Sequence, residues 1–287
     1  MDFGIVCFPT DRSITPQELG PALEQRGFES LFYAEHTHIP TSRRSPFIAG
    51  GGELPSMYWH SHDQFVSLSI VAAVTTGLKL GTGVTLLTEH DPINLAKAVA
   101  SLDRLSGGRL LFGIGAGWNA EEMEDHGVAF ADRWKVTRER LLAMRNIWTA
   151  DEPEYHGRYV DFPPMWCWPK PLQDGGPPVL MGAYSKYVPA RIAEYCDGWM
   201  PIEGLLEDFP QALVDIRAAL AACGRDPAKL DVTVLAEVRA QTGFDPARFA
   251  RMIELGANRV LLPLSDLPRD ESLRVLDDYA AMIAQLR

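Results

Sequence analysis

Asp91-Pro-Ile-Asn-Leu-Ala-Lys-Ala-Val-Ala-Ser-Leu-Asp-Arg-Leu105, followed by Ser106-Gly107-Gly108 and Arg109-Leu-Leu-Phe-Gly-Ile114, reads as a helix, a stop and a strand in direct succession. Aspartate before proline opens a helix, because the carboxylate can accept from a first-turn amide and proline's missing N–H costs nothing there. Glycine at 107 and 108 can take the positive φ that ends a helix, and the apolar run that follows reads as a buried strand. Together they make one β/α repeat.

Working outward, the same order recurs along the chain. Strands are expected to start near Phe3, Ser30, Leu78, Arg109, Val179, Gly198, Leu230 and Arg259, each followed by a segment of helical periodicity. That alternation means a parallel sheet, and eight such units close a barrel. The predicted fold class is therefore α/β, a (β/α)8 barrel, with residues 1–287 as a single domain. Thr15-Pro16-Gln17-Glu18 reads as another helix start, with an N-cap hydroxyl, a proline at the first helical position and a capping-box glutamate.

Composition narrows the partners. A sequence with 46% hydrophobic and 23% charged residues supports a sizeable core. Lys and Arg number 27 against 38 Asp and Glu, a net charge of -11 with no basic cluster, which argues against nucleic acid or a membrane surface as partner. Cys7, Cys167, Cys196 and Cys223 lack the close spacing of zinc or redox pairs and suit a reducing compartment. With no secretory signature at the start and no apolar run long enough to span a bilayer, a cytoplasmic location is expected.

Two connections exceed an ordinary βα turn. Residues 35–62 carry Gly50-Gly51-Gly52 between Pro46 and Pro55, with Tyr58 and Trp59, and read as a lid over the active site. Residues 151–178 are rich in proline and aromatics, including Phe162, Trp166 and Trp168. They suit either a pocket wall or packing over the barrel's outer face.

In a β/α barrel the residues just past each strand line one shared site. Here those are Glu35-His36-Thr37-His38, Gly81-Thr82-Gly83-Val84-Thr85, Gly113-Ile114-Gly115-Ala116-Gly117-Trp118 and Gly182-Ala183-Tyr184-Ser185-Lys186. Glycines at strand ends either admit a flat or phosphate-bearing ligand or relieve crowding where strands bend, and three such ends together favour the ligand. Ser185, at an expected helix start, offers N–H groups to an anion. Gly115-Ala-Gly-Trp-Asn-Ala120 fits the dinucleotide fingerprint loosely. The acidic Glu121, Glu122, Glu124 and Asp125 and the position on a fourth repeat argue against it. His36 reads as a general acid or base, or with His38 as half of a metal site. His60, His62, His90 and His126 show no spacing that completes a ligand set, so no metal is expected.

Taken together, these strand ends resemble the luciferase-like monooxygenase superfamily, in its actinobacterial branch that uses the deazaflavin coenzyme F420. The resemblance rests on Phe28-Glu-Ser-Leu-Phe-Tyr-Ala-Glu-His36-Thr-His38-Ile-Pro40, Leu80-Gly-Thr-Gly83-Val84-Thr85, Ser106-Gly-Gly-Arg109 running to Gly117-Trp118, and Ala193-Glu-Tyr-Cys-Asp-Gly-Trp199. It implies a flavin-type ring across the barrel mouth with His36 near its reactive edge and Glu35 as an acidic contact. Gly83 and Val84 match a non-proline cis peptide behind the ring, with Thr85 beside it. Ala116 and Gly117 match ring-side backbone, and Ala183, Tyr184 and Ser185 the phosphate segment. Phe8, His38 and Trp118 would then form a largely apolar substrate pocket. Family sugar-phosphate dehydrogenases carry an aromatic four residues past the histidine and a glutamate at the position of Trp118. Pro40 and Trp118 here argue against glucose-phosphate chemistry.

The expectation that follows is hydride transfer between F420 and an organic substrate, in a homodimer formed through barrel helices. The alternatives are an FMN-dependent two-component monooxygenase on the same fold, a metal-dependent barrel hydrolase built on His36 and His38, and a non-catalytic cofactor carrier. Arg43 and Arg44 are candidate contacts for a polyglutamate tail on F420.

Overall fold

The computed structural model describes residues 2–47, 52–205, 208–236 and 246–286. In chain order it runs β1 (Asp2–Cys7), α1 (Pro16–Gln25), β2 (Ser30–Tyr33), α2 (Met57–His60), α3 (Gln64–Val74), β3 (Lys79–Thr82), β4 (Thr85–Leu86), α4 (Pro92–Leu105), β5 (Leu110–Gly115), α5 (Ala120–Asp125) and α6 (Arg133–Thr149). There follow β6 (Tyr155–His156), β7 (Asp161–Phe162), β8 (Val179–Met181), α7 (Val188–Tyr195), β9 (Gly198–Trp199), α8 (Phe209–Ala222), β10 (Asp231–Leu235), α9 (Pro246–Glu254), β11 (Arg259–Pro263) and α10 (Arg269–Gln285).

β1 pairs in parallel with β2 and β11, and parallel pairing continues from β2 to β3, from β5 to β8, and on through β9 and β10 to β11. The ring closes where β3 pairs with β5 at Leu80 and Leu110, and β4 with β5 at Thr85 and Ile114. β3 and β4 are one barrel position interrupted at Gly83-Val84, so eight parallel positions form a (β/α)8 barrel. The peptide between Gly83 and Val84 is cis. Each expected strand start lies within one residue of the observed one.

Two cores share the strands. Between barrel and helices lie the residues of a large apolar cluster such as Ile5, Leu23, Val99 and Leu141, all at 0% exposure. Inside the barrel Phe32, Leu111, Leu180, Met200 and Leu261 form a small cluster topped by the partly exposed Val6, Val84 and Leu235. Packing there is tight enough that a Cβ on Gly81 would stand 2.3 Å from the Phe32 ring, and one on Gly113 would stand 2.1 Å from the Thr82 carbonyl. At these two positions the packing leaves no room for a Cβ.

Helix α4 has the expected boundaries. Asp91 accepts the Asn94 amide at 2.8 Å, and Gly107 and Gly108 have φ of 76° and 78°. Helix α1 departs from the expected capping box. The Thr15 hydroxyl donates to the Glu18 carboxylate at 2.8 Å and does not cap the backbone. Helix α7 begins at Val188, not at Ser185, because residues 185–187 form a turn in which Val188 N–H donates to the Ser185 carbonyl and Tyr187 N–H to Ser185 Oγ.

The 151–178 connection folds into the antiparallel β6–β7 hairpin, which buries Phe162 and leaves Trp166 and Trp168 exposed. In the 35–62 connection Gly50 and Gly51 lie outside the described residues. Among the described residues no helix is long and apolar enough to cross a membrane.

Candidate active site

His36 lies three residues past β2, at the carboxyl ends of the strands, and is buried. Its Nδ1 is 2.7 Å from Oε2 of Glu122, a residue of α5 with no exposed surface. The other Glu122 oxygen accepts the Thr37 amide at 3.1 Å. A carboxylate at Nδ1 sets the tautomer: Nδ1–H donates, and Nε2 is left as the nitrogen able to take a proton.

Around that imidazole stands a set of aromatic rings. Phe8, Tyr58 and Trp118 have centroids 6.3, 5.0 and 5.8 Å from the His36 ring. Phe47 closes the set at 5.4 Å from Tyr58 and 5.9 Å from Trp118. Burial pushes the Tyr58 phenol up to about 12. The 35–62 connection supplies both Phe47 and Tyr58. Trp59, the other aromatic expected to cover a ligand, is half exposed and belongs to no part of this set.

The connection is held down by Glu121, next to Glu122 on α5. The buried Glu121 carboxylate accepts from the Ser45 hydroxyl at 2.5 Å, the Ser45 amide at 3.1 Å and the Arg44 amide at 2.6 Å. Burial raises this carboxyl, but those donors outweigh it and hold it at about 2. Arg43 takes a left-handed φ of 49° and stacks over Trp118, while Arg44 pairs with Glu124 at 2.8 Å.

Behind His36 lies a second acidic layer. Glu35 accepts the Leu86 amide at 2.7 Å with one oxygen and meets His90 Nε2 at 2.7 Å with the other, so both of its oxygens are engaged. Burial works to lower the His90 pKa, the bond and charge of Glu35 work to raise it, and the net result is a rise. Glu89 is 7% exposed, and Glu122, Glu35 and the Thr37 hydroxyl are its polar neighbours. Burial pushes the Glu89 carboxyl up to about 10, and the Glu122 and Glu35 carboxylates push the same way. Glu89 is therefore a neutral acid at pH 7.

The floor of the mouth is apolar and open. Val84 is partly exposed and sits between Gly115 and Gly182, where an added Cβ would come within 2.7 and 2.4 Å of its methyl groups. With Val6 and Leu235 it caps the cluster inside the barrel as a partly exposed apolar patch. Thr85 is buried and donates to Gln64 at 2.7 Å. Ala116 is buried, and Gly117 has a φ of 76°. Ala183 is buried, and Tyr184 and Ser185 are exposed at the rim.

Phe8 and Trp118 thus join His36. His38 joins a different group: it meets Thr37 Oγ1 at 2.9 Å and Asp125 at 3.0 Å, with the His126 ring at 5.6 Å. His36 turns inward and His38 outward, so the two do not converge on one point. Among the described residues no three His, Cys, Asp or Glu side chains form a group able to hold a metal.

The family model described as luciferase-like monooxygenase matches residues 1–254. The chain belongs to the luciferase-like monooxygenase family. An uncharacterized protein of Mycobacterium tuberculosis is 40% identical over 99% of both chains. The F420-dependent hydroxymycolic acid dehydrogenase of the same organism is 27% identical over 84% of this chain and 61% of its own length. Among solved structures, an F420-dependent secondary alcohol dehydrogenase bound to an F420-acetone adduct superposes with a TM-score of 0.77 at 18% identity over the whole of both chains. The monooxygenase RslO1 from Streptomyces bottropensis superposes at 0.75 with 21% identity over 99% of both. Membership makes the chain an enzyme of an oxidoreductase family, and these two structures carry its barrel.

Glu89, Glu122 and His90 were not singled out from the sequence. In the sequence the acidic run 121–125 serves only to argue against the dinucleotide fingerprint. Its position one turn past a glycine-rich strand end was the available signal that a carboxylate could reach the site.

Proposed function

We propose that this luciferase-like enzyme transfers a hydride between F420 and a small, largely apolar organic substrate, with His36 exchanging the accompanying proton. One observation carries the reading: His36, fixed through Nδ1 on Glu122, offers Nε2 within an aromatic enclosure beside an apolar patch. The named M. tuberculosis dehydrogenase, 27% identical, supports the choice of coenzyme.

When bound, the deazaflavin would supply the carbon that gives or accepts the hydride. Val6, Val84 and Leu235 would support the ring, backbone at Ala116 and Gly117 would border it, and the rim at Ala183, Tyr184 and Ser185 would meet its phosphate. Glu35 would stand beside the ring as structural support, since its carboxylate already holds Leu86 and His90. Phe8, Phe47, Tyr58 and Trp118 exclude water from the reacting atoms and admit an apolar substrate body. His38 would act at the outer edge of the pocket.

The test is equilibrium binding of F420 and FMN, measured side by side by coenzyme fluorescence at matched salt. Micromolar or tighter binding of F420 alone is expected. Preference for FMN would overturn the reading in favour of a monooxygenase supplied by a separate reductase. The homodimer is part of the same proposal, and a monomer by light scattering at micromolar concentration would contradict it.

A further inference from the structure

A cavity of about 390 Å³ opens on the flank of the barrel, between the β4–α4 turn, helix α6 and the β6–β7 hairpin. Its wall carries Glu89, His90, His126, Arg140, Tyr159 and Asp161, a lining polar enough to hold water. Three polar atoms on that wall are buried without a hydrogen-bond partner, Oε2 of Glu89, Nε of Arg140 and the Tyr159 hydroxyl. A buried carboxyl oxygen without a partner is costly unless water or a shared proton satisfies it. Glu89 thus touches two compartments. One side faces Glu122, which holds His36 at 2.7 Å, and the other lines the cavity.

The proposed reaction poses a problem that this arrangement answers. Each hydride moves with one proton, yet His36 is 8% exposed behind the partly exposed rings of Phe8, Phe47, Tyr58 and Trp118, and a substrate seated among them would cut it off from bulk water. We propose that Glu89 relays protons between the His36–Glu122 pair and water in the flank cavity, so that the closed site exchanges its proton through the barrel wall. The inference rests on the hydride-transfer reading for its purpose, but the path itself is a property of the coenzyme-free chain.

In substrate oxidation the substrate's hydroxyl proton would bond to His36 Nε2, and the deazaflavin, when bound, would supply the acceptor for the carbon-bound hydride and its two electrons. The Nδ1–H bond breaks toward Glu122, and the acid proton of Glu89 passes to cavity water and is replaced by the one on Glu122. When the mouth opens, the Nε2 proton leaves to solvent and the cluster regains one proton through Glu89, restoring the tautomer. Over the cycle one proton enters with substrate and one leaves to water. The charged and titratable groups facing Glu89 are Glu35 and His90 on the β2 and β4 sides, Glu122 and His126 around α5, and Arg140 on α6. The Thr37 hydroxyl completes its surroundings.

The test uses full-length, coenzyme-free protein labelled with ¹⁵N-histidine. The exchange of the His36 Nδ1 proton with water is read by NMR, the resonance being assigned by its loss in His36→Asn. Glu89→Gln, neutral and nearly isosteric with the protonated acid, is expected to slow exchange about tenfold or more, and Glu89→Asp to restore part of it. Ile93→Trp fills the cavity from α4 without touching the cluster and is expected to slow exchange as well. Wild-type exchange rates in both Glu89→Gln and Ile93→Trp would overturn the relay. Failure of the coenzyme reading would show separately, as absence of F420 binding to the wild type.

Discussion

The two ends of the barrel hold buried charge in opposite ways. On the amino-terminal face, Arg259 makes two bonds to Glu29, at 2.7 and 2.8 Å, and reaches Asp231 at 3.3 Å, while Lys79 meets Glu29 at 2.8 Å. Burial raises the Glu29 carboxyl, but Arg259 and Lys79 outweigh it and hold it at about 2. On the carboxyl face, Glu35, Glu89 and Glu122 share their space with His36 and His90, and one of the three is pushed up to about 10. Two permanent cations answer two carboxylates on the floor. At the mouth, the carboxylates' partners are imidazoles, whose ring nitrogens can both give and take a proton. Fixed pairing stabilises a barrel, whereas an excess of carboxyls keeps exchangeable protons where a reaction can use them.

The comparison breaks most visibly at Arg259. Arg259→Ala strands Glu29 and Asp231 partly buried, and is expected to cost about 3 kcal/mol of stability, the lower end for breaking a buried pair, because Lys79 still answers Glu29. Urea unfolding followed by circular dichroism reads this, and the pH dependence of turnover should not move. Glu122→Gln is expected to do the converse. The rate falls roughly 10²-fold as His36 loses the charge that supports its protonation. Stability holds or rises, since a carboxylate leaves a crowded acidic layer. If Glu122→Gln unfolds the protein while Arg259→Ala alters the pH profile, the division between floor and mouth is wrong.

A smaller effect is expected at Glu121. Glu121→Ala removes the acceptor for Ser45 and Arg44 and leaves their amides to water, a local loss of about 1–3 kcal/mol. Amide hydrogen exchange at residues 42–47 should quicken, and KM for the organic substrate should rise more than kcat falls. A fall in kcat alone would mean that the 35–62 connection does not close on substrate.

The floor was more legible in the sequence than the mouth, for a physical reason. Strand starts follow from local apolar runs and helix boundaries from Asp91, Gly107 and Gly108, whose signals act within a few residues. His36 was legible because it lies just past a strand. Its partner Glu122 lies 86 positions away and Glu89 lies in a turn after β4, so only the closed barrel brings the three together. His38 shows that sharing a loop does not fix a side chain's direction. It shares a loop with His36, yet Asp125 draws it outward.

The finest distinction lies in how stability depends on pH. Glu29 is depressed in the folded state to about 2, so its contribution is fully present above the unfolded value of 4.5 and is lost as pH falls toward 2. Glu89 has the opposite sign. Its folded carboxyl titrates near 10, so between 4.5 and 10 the folded state binds a proton that the unfolded state has released, and stability falls as pH rises through that window. One such group contributes a slope of at most about 1.4 kcal/mol per pH unit. Glu89→Gln carries no titrating proton, so it should flatten the alkaline limb of the stability curve and leave the acid limb, to which Glu29 and Glu121 contribute, where it was. Unfolding midpoints in urea from pH 3 to 10 test this. An alkaline limb unchanged in Glu89→Gln would mean that Glu89 is already ionised at neutral pH, and the mouth would then hold its charge as fixedly as the floor does.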